Sequence, residues 1–370
     1  MLENWLAPVP SDLLKSSAEL ASTALFHQLR VHSNEFKVPN IESAKAVLIG
    51  VDGRAANPIR EALYPLVHSF GATNIADLGN VRNQKTAFLI PLLKELIEAG
   101  SIPILLGAGS IHIPALYHAF QEVRRETNMV VVDERVAFQS EQIESASDYL
   151  QELVFHPTNA PFHIGFIGTQ IHYLNPEVMA AARIRNYEIV RLGQARANIP
   201  GIEPVIRDAD LVTLNLSALR AGDCMAVDRP TPNGFSGEEM CQICRYAGMS
   251  DKLRTLGIIG YHPDRDSFQL SAQLQAQMIW YFLEGVHHRK NDFPVTIEGM
   301  VEYIVPLKQL DYQLTFWKSK RSGRWWLQVP VKTKKQHQRH RLIPCSYEDY
   351  QLAGQDQLPD RLLQAFRRFP

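Results

Sequence analysis

Four stretches of the chain place reactive side chains directly after short apolar, β-branched runs. Ile102–Leu106 is followed by Gly107-Ala108-Gly109-Ser110-Ile111-His112, and Met129–Val132 by Asp133-Glu134-Arg135-Val136-Ala137. Leu211–Leu214 leads into Asn215-Leu216-Ser217, and the run from Thr255 into Gly260-Tyr261-His262. Apolar runs of this kind read as strands covered on both faces, and a parallel sheet binds its ligands beyond the carboxyl ends of its strands. Carboxylates and imidazoles at such ends hold divalent metals or move protons. Asp133 and Arg135 are two residues apart and can project to one side; Arg135 is expected to pair with an acid, Asp133 being the nearest in sequence, or to hold an anion. Gly107–Ser110 before a helix suits an anion, but it is too short for a nucleotide fingerprint and no Lys follows it. No G-x-S-x-G elbow surrounds Ser110, which argues against a nucleophile. His112, His172 and His262 each read as ordinary surface or core histidines. Asp133, His112 and Glu134 would make a mononuclear metal set of no known spacing.

These residues need a scaffold. Strands are predicted at Ala46–Val51, Asn74–Leu78, Ile102–Leu106, Met129–Asp133, His163–Ile167, Glu188–Leu192, Leu211–Leu216 and Thr255–Gly260. Between them, Thr86–Ala99, Ile113–Arg125 and Pro176–Arg185 carry apolar residues at helical spacing. Alternating β and α segments imply a parallel sheet with right-handed crossovers. Eight such strands suit either an open doubly wound sheet or a closed barrel. Residues 1–40 are expected to be an N-terminal helical segment, 41–290 the α/β domain, and 291–370 a C-terminal extension. That extension contains a hairpin, since Leu314–Lys318 and Arg324–Val329 flank Lys320-Arg321-Ser322-Gly323. Residues 318–341 hold nine Lys or Arg and no acid, so the remainder is correspondingly acidic. This basic run admits a nucleic-acid surface, with Trp317, Trp325 or Trp326 stacking on bases. The preferred reading is a hairpin packed on the core or on a subunit neighbour, with its Trp side chains buried and its charges solvated.

Bulk properties exclude several classes. The net charge of −1 implies no global electrostatic partner. Four cysteines are too few for a disulfide scaffold. Cys241-Gln242-Ile243-Cys244 is a lone CxxC, whereas structural zinc needs about four ligands, so two buried thiols are expected. The N-terminus has no signal-peptide pattern, and no apolar run approaches the roughly 20 residues needed to span a bilayer. A cytoplasmic protein, with no membrane contact, is expected.

The strand-end motifs carry a resemblance. Pro103–Ser110, Val131–Ala137 and Thr213–Ser217 resemble, in order and in strand context, the G-G-D-H-S, D-A-H-x-D and S-F-D-x-D signatures of the arginase, agmatinase and formimidoylglutamase family of ureohydrolases. Pro232–Glu239 resembles the loop and helix start that follow. Ala46–Gly50 and Asn57–Tyr64 resemble the family's first strand and helix. The likeness spans residues 40 to 290 and implies an arginase-like α/β fold, a three-layer α/β/α sandwich with an eight-stranded, mostly parallel sheet, and a homo-oligomer. The family uses two Mn²⁺ ions that share a bridging hydroxide. Carried over by position, its metal ligands fall on Ser110, Asp133, Arg135, Ala137, Asn215 and Ser217, and a substrate-contacting Glu falls on Gly260. Of the six ligand positions, Asp133 alone keeps a metal-binding side chain. Asn and Ser offer neutral oxygens, and a guanidinium has no lone pair and repels a cation. The expectation is therefore a degenerate metal site without cofactor: a catalytically inactive homologue that binds a small polar or anionic ligand, or acts as a scaffold. The alternatives are an active C–N hydrolase of guanidino or amidino compounds with a rearranged site, and a nucleic-acid or acidic partner for the basic tail.

Overall fold

The computed structural model describes residues 2–71, 73–124, 126–136, 149–156, 158–294, 296–307, 312–329 and 341–368. The chain opens with β1 (Leu6–Ala7), α1 (Ser11–Ala18) and β2 (Leu29–Val31). There follow β3 (Ala46–Gly50), α2 (Gly53–Leu63), β4 (Ile75–Val81), α3 (Thr86–Glu98), β5 (Ile102–Ala108), α4 (Ile113–Val123) and β6 (Asn128–Val132). Then come α5 (Tyr149–Val154), β7 (His163–Thr169), α6 (Pro176–Ile184), β8 (Glu188–Arg191), α7 (Leu192–Ala197), α8 (Glu203–Arg207), β9 (Leu211–Asn215), α9 (Gly237–Met249), β10 (Thr255–Ile259) and α10 (Leu270–His287).

All eight predicted strands are present, β3 to β10, and they pair in parallel in the order β4-β3-β5-β10-β9-β6-β7-β8. The sheet has ten strands, not eight, because β1 and β2 from the first 40 residues both add to β4. At two and three residues, neither carries a periodicity that sequence could reveal.

Strand residues alternate between two cores, as the two-residue strand repeat requires. Leu48, Ile104, Val130, Val212 and Leu256 face one core, which includes Ile59 of α2, Ile243 of α9 and Ile279 of α10. Val47, Leu105, Met129 and Val131 face the other, against Leu93 of α3 and Leu116 of α4. This gives the three layers. Helices α9 and α10 cross backbone to backbone: a Cβ on Gly248 would lie 2.1 Å from the Phe282 carbonyl oxygen, and one on Gly285 2.4 Å from that of Arg245. Helix α2 is locked to β4 by a fully buried ion pair, with Arg60 Nε and Nη2 donating to the two Asp77 carboxylate oxygens at 2.8 and 2.9 Å. Tyr64 also donates to Asp77, and Arg60 to the Gly79 carbonyl. Such a pair is tolerated in a core because every charge is satisfied.

The C-terminal extension forms a separate antiparallel sheet, β11 (Met300–Leu307), β12 (Tyr312–Ser319), β13 (Trp325–Gln328) and β14 (Leu342–Cys345), followed by α11 (Tyr347–Gly354) and α12 (Asp360–Arg368). The expected hairpin is β12–β13, with Gly323 at φ 73° in its turn. Trp317, Trp325 and Trp326 are buried, so none presents a face for base stacking. Residues 330–340 of the basic run lie outside the described residues. Buried Arg207 of α8 stacks on Trp326 at 4.5 Å and donates to the carbonyls of Trp325 and Cys345. Arg368 reaches Asp208 at 2.7 Å and Glu188 at 3.6 Å, and Phe162 packs against Val329, Ile343 and Ala365. Phe162, Glu188 and Asp208 stand at the starts of β7, β8 and β9. The extension therefore covers the amino ends of the strands, opposite the carboxyl ends that carry the motifs. No helix among the described residues is long and apolar enough to cross a membrane.

Candidate functional site

Strands β5, β10, β9 and β6 are neighbours in the sheet, so their carboxyl ends bring Ser110, Gly260, Asn215 and Asp133 to one edge of the fold. The tightest contact there joins two of the predicted residues: Asn215 Nδ2 donates to Asp133 Oδ2 at 2.9 Å, with both side chains buried. Asn215 Oδ1 accepts from the Ser217 backbone N–H at 3.0 Å, an Asx turn that starts the short helical turn Leu216–Ala218. Asp133 Oδ1 accepts from the Arg135 backbone N–H at 3.3 Å. Gly260 has φ +90°, and a Cβ there would meet Asn215 Oδ1 at 2.6 Å. The backbone at this point leaves no room for the glutamate that the resemblance would place at position 260.

Arg135 pairs with an acid as expected, but with Glu134 rather than Asp133. Its guanidinium pairs with Glu134, Nε to Oε1 at 3.2 Å, and lies over the Tyr173 ring at 4.1 Å. Strand β6 ends at Val132, so the two-residue alternation no longer governs residues 133–135, and the Asp133 carboxylate is taken by Asn215. Burial, then the neighbouring Asp133 charge, pushes the Glu134 carboxyl up to about 9, against the pull of Arg135. Its surroundings therefore favour the protonated form. Nothing in the sequence joins Glu134 and Tyr173 to Arg135 as a unit. What links them is a loop contact, since the Gln170 N–H donates to the Glu134 carbonyl and the Tyr173 N–H to the Gln170 carbonyl.

His112 is buried beside Gly109, whose N–H donates to its Nδ1 at 2.9 Å. Burial lowers its pKa, and its Nε2 has no partner among the described residues. Ser110 is half-buried at the start of that turn. Ala137 lies outside the described residues. His262 pairs with Asp228 at 2.9 Å at the surface. Cys241 and Cys244 are buried free thiols, as expected, and burial pushes both pKa values up.

The donor set does not fit a pair of divalent ions. Two such ions need several carboxylates to offset their charge. Both oxygens of Asp133 are engaged by N–H donors, Asn215 turns its amide oxygen to its own backbone, and Arg135 adds a positive charge. Among the described residues no three His, Cys, Asp or Glu side chains are grouped to hold a metal, including the set Asp133, Glu134 and His112. A hollow of about 890 Å³ lies elsewhere, between the N-terminal parts of α9 and α10, and is lined by Arg220, Glu238, Arg245, Gln273 and Tyr281.

No protein-family model matches the sequence, and no curated protein matches it. Solved structures do match in three dimensions. The formiminoglutamase of Trypanosoma cruzi, with Mn²⁺, superposes with a TM-score of 0.59 at 15% identity, covering 69% of this chain and 97% of that one. Formimidoylglutamase from Bacillus subtilis gives 0.60 at 16% identity, covering 72% and 93%. The agmatine ureohydrolase of Thermoplasma volcanium gives 0.53 at 16% identity, covering 74% and 97%. Nearly the whole of each relative is thus contained in this chain, which has the fold of the arginase superfamily.

Proposed function

We propose that the chain is a non-catalytic protein of arginase-like fold that binds a small polar or anionic ligand at the strand ends near Asp133 and Arg135, as a cytoplasmic homo-oligomer. The Asn215–Asp133 bond carries this reading. An amide donor occupies the carboxylate oxygen that a metal would need, and the remaining ligand positions hold Ser110, Arg135 and Ser217. Without a metal there is no bound hydroxide to attack a guanidino or formimino carbon. The test is turnover. Purified protein is incubated with formimidoylglutamate, agmatine or arginine, with and without Mn²⁺. No formamide or urea above a heat-killed control is expected. Product formation that requires Mn²⁺ would establish instead an active C–N hydrolase with a rearranged site.

A further inference from the structure

We infer that Arg135, clamped between Glu134 and Tyr173, is a preformed fork for a small monocarboxylate. This assignment rests on the reading of the strand ends as a binding site and names its ligand class. The guanidinium is held in two directions: Glu134 Oε1 accepts from Nε at 3.2 Å, and the Tyr173 ring lies under the plane at 4.1 Å. Both supports are themselves fixed. Glu134 is buried, and the turn that carries Tyr173 is tied back through Gln170 to the Glu134 carbonyl at 2.9 Å. The Nη groups have no acceptor among the described residues, and the side chain keeps 29% of its surface exposed. A stacked, planar guanidinium with open Nη–H donors matches the two oxygens of a carboxylate. Because its orientation is already set, little rotamer freedom is lost on binding.

The charge of the site selects within the anions. Among the described residues Arg135 touches the acidic Glu134 side chain and the Tyr173 ring, with the acidic Asp133 next to them. One guanidinium in that setting matches one negative charge and leaves a phosphate dianion in excess. The same turn presents Ile171, 51% exposed, as an apolar neighbour for the rest of the ligand.

The experiment titrates full-length protein with propionate, succinate and inorganic phosphate, followed by two-dimensional NMR of the guanidinium and amide signals. Wild type, Arg135→Lys, Arg135→Gln and Tyr173→Leu are compared. The expected result is saturable binding of propionate, weakened at least tenfold in Arg135→Gln and several-fold in Arg135→Lys and Tyr173→Leu, with phosphate weaker than the carboxylates. The Lys variant keeps the charge and so separates loss of the fork from loss of the fold. Absence of saturation in wild type, equal binding by Arg135→Gln, or tighter binding of phosphate would overturn the assignment. Turnover in the hydrolysis assay would instead count against the non-catalytic reading and leave the carboxylate titration to be judged by itself.

Discussion

Asn215 ends β9 and Asp133 follows the last residue of the adjacent parallel strand β6, and a buried amide-to-carboxylate hydrogen bond of 2.9 Å joins them. Asn215→Asp replaces the donor with a second negative charge. The variant is expected to lose about 2–3 kcal/mol, the range for stranding a buried charged group, as measured by urea unfolding. A loss below about 0.5 kcal/mol would mean that the bond is absent in solution.

Gly260 adjoins the same amide. Its φ of +90°, and the 2.6 Å that would separate an added Cβ from Asn215 Oδ1, leave no space for a side chain. Gly260→Ala should cost about 1–3 kcal/mol and displace the Asn215 side chain, seen as a shift of its Nδ2 resonances. Wild-type stability in this variant would refute the packing described.

Glu134 makes stability depend on pH. Its folded pKa is raised above its unfolded value, so the folded state keeps a proton that the unfolded state releases. The contribution is full below the ordinary carboxylate range and is lost as pH rises through the folded value. Unfolding free energy should therefore decline between about pH 5 and pH 9, and Glu134→Gln should flatten that slope. Parallel slopes in the two proteins would contradict the buried, protonated carboxyl.

Most of the eight central strands were legible because they are short apolar runs bounded by turn residues. The strand-end motifs were legible because each directly follows such a run, although their chain order (β5, β6, β9, β10) differs from the sheet order β5-β10-β9-β6. Strands β1 and β2 were not, since their pairing with β4 depends on tertiary contact alone. The expected Arg135–acid pair forms with Glu134 rather than Asp133, because the strand ends at Val132 and its periodicity does not govern residues 133–135. Glu134 was adjacent in sequence, but its role depends on burial, and Tyr173 arrives from the neighbouring strand end.

The extension is bound through buried polar contacts that truncation would remove, leaving Arg207 with Glu203 and Asp208 with Lys252. Arg207 loses its two carbonyl acceptors and Trp326, and Asp208 loses Arg368, if residues 291–370 are removed. A chain ending at 290 is therefore expected to be insoluble or to unfold at much lower denaturant, and Arg207→Ala in the full chain should cost about 3–5 kcal/mol. A soluble, cooperatively folding fragment of 290 residues would show that the α/β unit is self-sufficient.

The proposed loss of the metal centre is tested most directly by manganese content. Protein expressed and dialysed with Mn²⁺, then freed of excess ion, should hold well under one Mn per chain by elemental analysis. The quadruple variant Ser110→His, Arg135→His, Asn215→Asp and Ser217→Asp should gain bound Mn²⁺ and a metal-dependent rise in Tm. About two ions per chain in the wild-type protein would contradict the account.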